Sequence, residues 1–221
     1  MIGFSRIPVR VTRGLCIRCL RADSVCYCRH LDPISPSFEV VLLQHPKERK
    51  NTIGTARMTH LCLANSRLLS GIGFENDPTA NGLIDDPGNF CVVLFPGPDA
   101  VNVSENAETF LARVRSKSKN LVVFVIDGTW SQARGMIRKS PRIASLPQIC
   151  FTPKIPSQYK VRKQPNPLCL STIEATHSLI EFLNPEIDAS LLLALFAKMV
   201  DRQIECGALN KLREHSVSPN E

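Results

Sequence analysis

The chain has 221 residues, 43% of them hydrophobic, and a formal net charge of +7. That length fits one ordinary domain with a real core plus a small appendage, and a mean hydropathy of −0.03 is that of a soluble globular chain. No stretch approaches the ~20 continuous apolar residues of a membrane span, so no membrane partner is expected.

The chain opens on a basic arm, residues 1–13. Met1–Arg21 contains Arg6, Arg10, Arg13, Arg18 and Arg21, with no acid before Asp23. An ordered or RNA-facing arm is preferred to an organelle-targeting peptide, because a cleavable peptide would run close to the cysteines that follow. A cytoplasmic or nuclear location is accordingly expected ahead of an organelle.

Cys16, Cys19, Cys26 and Cys28 follow C-x2-C-x6-C-x-C. Two tight pairs at this spacing can close a tetrahedral four-thiolate site, the usual arrangement for structural zinc. In a reducing compartment such clustered thiols point to a metal rather than to disulfides. A small zinc module is therefore expected over residues 14–34. Four thiolates leave no open coordination position, so the chemistry must lie elsewhere. The other cysteines sit mostly in apolar runs and read as buried thiols.

The main domain is expected over residues 35–209. Three β-branched apolar runs, Phe38–Gln44, Phe90–Phe95 and Leu121–Ile126, read as strands. Their continuous hydrophobicity predicts a mostly parallel sheet with helices on both faces, an α/β fold. Shorter strands are expected at Gln148–Thr152 and Leu168–Ser171. Helices fit Thr52–Ala64, Ala107–Ser116, Ser131–Lys139, Ile173–Leu183 and Ile187–Cys206. Asn76–Asn89, rich in Asn, Asp, Gly and Pro, reads as a loop, and residues 210–221 as a polar, fraying tail.

From Gly128 to Ile173 there is no Asp or Glu, but there are eight bases: Arg134, Arg138, Lys139, Arg142, Lys154, Lys160, Arg162 and Lys163. Such a stretch is the footprint of a polyanion, nucleic acid being preferred. The alternative is a solvated face whose acids come from distant parts of the chain.

In open α/β sheets ligands bind beyond the carboxyl ends of the strands. Here those ends deliver Gln44-His45-Pro46, Leu94-Phe95-Pro96-Gly97 and Asp127-Gly128-Thr129-Trp130. Thr129 fits an N-cap, with Gln132 completing a capping box, and the helix N-terminus behind it suits a carboxylate or phosphate. A partly desolvated strand-end carboxylate can have a raised pKa and act as a base. The competing reading makes Asp127 a turn stabiliser and Trp130 a core plug, and these residues alone weigh the two about equally.

Taken together, the cysteine cluster, LLQHPKE at Leu42–Glu48, LFPG at Leu94–Gly97, DGTWSQARGMIRKSP at Asp127–Pro141, SQYKVRKQP at Ser157–Pro165 and LSTIEA at Leu170–Ala175 resemble the DTW-domain family, named for Asp-x-Thr-Trp. The resemblance implies a tRNA-uridine aminocarboxypropyltransferase, which moves the 3-amino-3-carboxypropyl group of S-adenosylmethionine onto uridine N3 and releases methylthioadenosine. It also implies a fold akin to the knotted SPOUT-type methyltransferases.

On that reading Asp127 is the candidate base, with Thr129 and Trp130 beside it. Gln44, His45, Leu94, Phe95, Pro96, Gly97, Gly128, Ser171, Thr172 and Glu174 are candidates for the donor pocket. Glu174 has an equal claim as a carboxylate favoured at a helix N-terminus. Arg134, Arg138, Lys139, Lys160 and Lys163 are candidate RNA contacts, Tyr159 a platform for a base and Arg162 a phosphate ligand. A SPOUT-like RNA methyltransferase and a non-catalytic zinc-dependent RNA-binding protein are the rival readings. A nucleotide hydrolase is disfavoured because no G-x4-G-K-[ST] occurs.

Overall fold

Six strands form one sheet among the described residues: β1 (Glu39–Gln44), β2 (Ser66–Ser70), β3 (Asn89–Leu94), β4 (Val101–Asn102), β5 (Asn120–Asp127) and β6 (Gln148–Cys150). Their order is β2-β1-β5-β3-β6-β4, with every pairing parallel. This computed structural model describes residues 14–49, 51, 54–161 and 168–216. The expected arm at 1–13 and two expected RNA contacts, Arg162 and Lys163, fall outside the described residues.

The continuous apolar runs follow from burial on both sides. Along β1, Val40 and Leu42 enter one core while Val41 and Leu43 enter the other, the period-2 alternation of a strand. Helices α2 (Ala56–Cys62), α4 (Val103–Ser116), α7 (Thr172–Leu183) and α8 (Ser190–Ser216) cover the first face. Helices α3 (Pro78–Asp85), α5 (Trp130–Arg138) and α6 (Pro141–Ala144) cover the second. A four-residue helix α1 (Pro46–Arg49) follows β1 directly. A sheet covered on both faces is the setting in which purely parallel pairing occurs.

Strand β5 follows β3 and β4 in sequence but inserts between β1 and β3. This returns the chain to the middle of the sheet and opens a crevice at the strand ends. Register brings Gln44 opposite Asp127 and Leu94 opposite Val125, so the three expected turns converge there.

Several expectations need correction. The loop expected at Asn76–Asn89 contains α3, started by an Asp77 carboxylate that accepts the Thr79 and Ala80 N–H groups, with Pro78 as the first helical residue. Leu168–Ser171 is not a strand, but the approach to α7. Helix α8 continues to Ser216, so most of the expected tail is helical backbone. Strands β2 and β4 were not expected. Around Cys16–Cys28 the chain forms short 3-10 turns at Asp23–Val25 and Cys28–His30, and Tyr27, Leu31 and Ile34 pack against the main core.

Candidate active site and metal centre

A cavity of about 440 Å³ opens at the carboxyl ends of β3, β5 and β6, within the ~300–1,000 Å³ range of small-ligand sites. Leu94, Phe95 and Pro96 form one wall, and Asp127, Gly128, Thr129 and Trp130 the next. The approach to α7, with Cys169, Ser171 and Thr172, closes the third. The lining is mainly apolar and aromatic, with Thr55, Asp127, Thr129, Ser171 and Thr172 among its polar residues.

Asp127 is the last residue of β5 and is only 5% exposed. Thr172 Oγ1 donates to its Oδ1 at 2.6 Å, and Gln44 Nε2 donates to its Oδ2 at 3.1 Å. The backbone carbonyl of Asp127 accepts the His45 N–H at 2.9 Å. The carboxylate is thus held by β1 on one side and α7 on the other, while it borders the cavity. Such a group is oriented before any ligand arrives.

The turn after it is built as the sequence predicts. The Gln132 N–H donates to Thr129 Oγ1, and the Thr129 N–H to Gln132 Oε1, forming a reciprocal capping box. At Gly128 a Cβ would stand 3.1 Å from Cβ and Oε1 of Gln132, so a side chain there would press on the cap itself. Trp130 is not a core plug. It is 40% exposed, lies against Phe95 with ring centroids 6.4 Å apart, and donates from Nε1 to Cys169 Sγ at 3.2 Å. Its indole is an aromatic wall tied to the α7 approach.

Other expected pocket residues lie off the cavity. Gln44 reaches the site through Asp127 rather than lining it, and His45 Nδ1 accepts the Lys47 N–H at 3.2 Å, capping its own turn. At Gly97 the neighbour is the Gln148 side chain. Glu174 is buried. Its Oε1 accepts the Gln158 N–H at 2.7 Å, its Oε2 accepts the Ser171 N–H and hydroxyl at 2.8 and 2.6 Å, and Ser157 Oγ donates to both. The acid therefore pins the 157–158 segment to the start of α7, the structural one of its two readings.

The expected exposed platform at Tyr159 also needs correction. The residue is 3% exposed and meets Phe196 of α8 edge-on at 5.1 Å, while bordering the inner end of the cavity. Arg134, Arg138 and Lys139 are exposed on and just after α5, and Lys160 is exposed as well. Among the described residues none of these four forms an ion pair. Arg142, by contrast, pairs with Asp85, so distant acids neutralise part of the basic stretch. At Gly135 an added Cβ meets nothing within 4 Å; no close approach accounts for that glycine. The cavity also uses Thr55, Cys150, Phe151 and Cys169, whose residue types carry no chemical signal.

The four clustered cysteines come together as their spacing predicts. All four sulfurs lie within 4.8 Å of one another, with Cys16–Cys28 at 3.8 Å and Cys19–Cys26 at 3.7 Å. Thiolates on a tetrahedral ion with ~2.3 Å bonds stand roughly 3.8 Å apart, so the donor set fits such an ion. Backbone hydrogen bonds at Cys19 and Arg18 bring the Cys16 thiol down to about 6. Desolvation pushes Cys19 and Cys28 up, an effect a central cation reverses.

The DTW-domain family model matches residues 13–204. The chain belongs to the DTW-domain family. It is 32% identical over 212 residues to tRNA-uridine aminocarboxypropyltransferase 2 of Macaca fascicularis, covering 92% of this chain and 68% of that protein. The corresponding Drosophila melanogaster protein is 29% identical over 218 residues, covering 95% and 82%. Tests against solved structures give no significant match.

Proposed function

We propose that this DTW protein transfers the 3-amino-3-carboxypropyl group of S-adenosylmethionine to N3 of a tRNA uridine, releasing methylthioadenosine. The observation that carries this reading is Asp127: a buried carboxylate, fixed by Gln44 and Thr172, on the wall of a mainly apolar cavity. The names of the relatives supply the reaction class.

The donor supplies a sulfonium-activated carbon, and the residues govern how it is met. Phe95, Pro96 and the Trp130 indole offer flat apolar surfaces suited to an adenosyl group. Uridine N3 is a weakly acidic imide and must lose its proton to attack carbon. Asp127 accepts that proton, with Thr172 and Gln44 holding its oxygens in place. General-base assistance of this kind is worth about 10²–10⁴ in rate. Walls of this kind also keep water from the reacting carbon. Selection of the aminocarboxypropyl carbon over the methyl is a matter of placement within ~3–3.5 Å of N3. Exposed Arg134, Arg138, Lys139 and Lys160 supply positive charge beside the cavity for the tRNA backbone.

Cys16, Cys19, Cys26 and Cys28 hold a structural Zn²⁺, which fixes the module without taking part in transfer. Stoichiometric zinc in purified protein, lost together with fold stability in Cys16→Ser, is the expected result. Metal-free protein with unchanged stability would reject this assignment. For the reaction, unmodified tRNA and S-adenosylmethionine are incubated with protein and the small products identified by mass spectrometry. Methylthioadenosine, absent with Asp127→Ala, is expected. S-adenosylhomocysteine would make the protein a methyltransferase, and no product from any tRNA pool would favour a binding protein.

A further inference from the structure

A second concavity, of about 210 Å³, lies where the cysteine module meets the end of β1. Its wall carries Arg21 from the module, Arg49 from α1 and Arg57 from α2. The Arg21 guanidinium lies over the Tyr27 ring, 5.6 Å from its centroid. Among the described residues, none of the three arginines forms an ion pair, although Arg57 is half-buried. Glu48, the one acid among the described lining residues, is 6% exposed and accepts from Asn51 Nδ2 at 3.2 Å.

Three guanidinium groups around one small hollow repel one another, and a half-buried one is poorly solvated. An anion relieves both costs, and the planar fork of Arg matches phosphate oxygens. Gln44 also lines this notch, and its amide is the group that donates to Asp127 Oδ2. One side chain therefore separates the notch from the candidate base. That adjacency favours a phosphate belonging to the substrate over an unrelated anion.

We propose that the Arg21–Arg49–Arg57 notch holds a backbone phosphodiester of the RNA substrate, close to the nucleotide that is modified. The inference rests on the tRNA reading above and assigns the cysteine module a share in substrate binding through Arg21.

The test is equilibrium binding of unmodified tRNA over a series of salt concentrations. The proteins compared are the unaltered chain, Arg49→Gln, Arg57→Gln and Arg57→Lys. Each Gln variant should weaken binding about tenfold and lower the salt slope by roughly 0.7, as expected for one lost contact to a single strand. Arg57→Lys should keep most of the affinity. Binding of S-adenosylmethionine and zinc content should be unchanged in all of them. Unaltered affinity and salt slope in both Gln variants would overturn the notch while leaving the tRNA reading intact. Failure of the unaltered protein to bind any tRNA would overturn that reading and remove the proposed ligand with it. Arg49 is exposed, so its variant decides the matter even if Arg57→Gln folds poorly.

Discussion

Helices α5 and α7 both begin at the same cavity, yet of the two buried carboxylates at their starts one caps its helix and the other lines the cavity. At α7 the acid itself does the capping: Glu174 reaches back to the Ser171 N–H and spends both oxygens on Ser157, Gln158 and Ser171. At α5 a neutral residue, Gln132, takes that position and closes the cap with Thr129. Asp127, two residues before Thr129, is released from capping and stands at the cavity edge. Both carboxylates are held by hydrogen bonds, but of the two Asp127 alone lines the cavity, where the proposed function gives it the proton. The N3 residue differs between the two caps, Glu in one helix and Gln in the other.

The comparison can be broken at its strongest point first. Asp127→Asn preserves shape and should slow transfer by about 10²–10⁴, with little change in melting temperature; single-turnover rates and thermal melts check both. Glu174→Ala should do the reverse. Loss of this buried acceptor leaves several donors unpaired and costs about 1–3 kcal/mol of stability, while the folded fraction keeps nearly normal turnover. Trp130→Ala should raise the KM for S-adenosylmethionine about tenfold, the upper end of a lost aromatic contact, with kcat less affected. The smallest effect is expected for Thr129→Ala, about 1 kcal/mol of stability for one lost N-cap. A large loss of turnover in stably folded Glu174→Ala would erase the distinction between the two starts.

Much of this arrangement was legible in the chain. β1, β3 and β5 are apolar throughout because both faces are buried, and the Asp127–Trp130 turn carries its cap in plain residues. Position within the site was less legible. Gln44 and His45 occur together at a strand end, but only three-dimensional register shows Gln44 turned to Asp127 and His45 closed on its own turn. α3 was hidden by composition, although Asp77-Pro78 is a helix start in its own right. β2 was missed because this sheet-edge strand is half-exposed and contains Arg67, which pairs with Glu39 of β1. Tyr159 sits among basic residues in sequence, and its partner Phe196 arrives from a helix 37 positions later. Long-range packing of that kind leaves no local pattern.

The most direct test of transfer at this cavity uses two forms of S-adenosylmethionine, one labelled in the aminocarboxypropyl carbons and one in the methyl. Each is given to the protein with unmodified tRNA, and the nucleosides are then resolved by mass spectrometry. The aminocarboxypropyl label on a uridine, absent in Asp127→Asn, is the predicted result. Methyl label in the RNA, or aminocarboxypropyl transfer at an undiminished rate in Asp127→Asn, would contradict it.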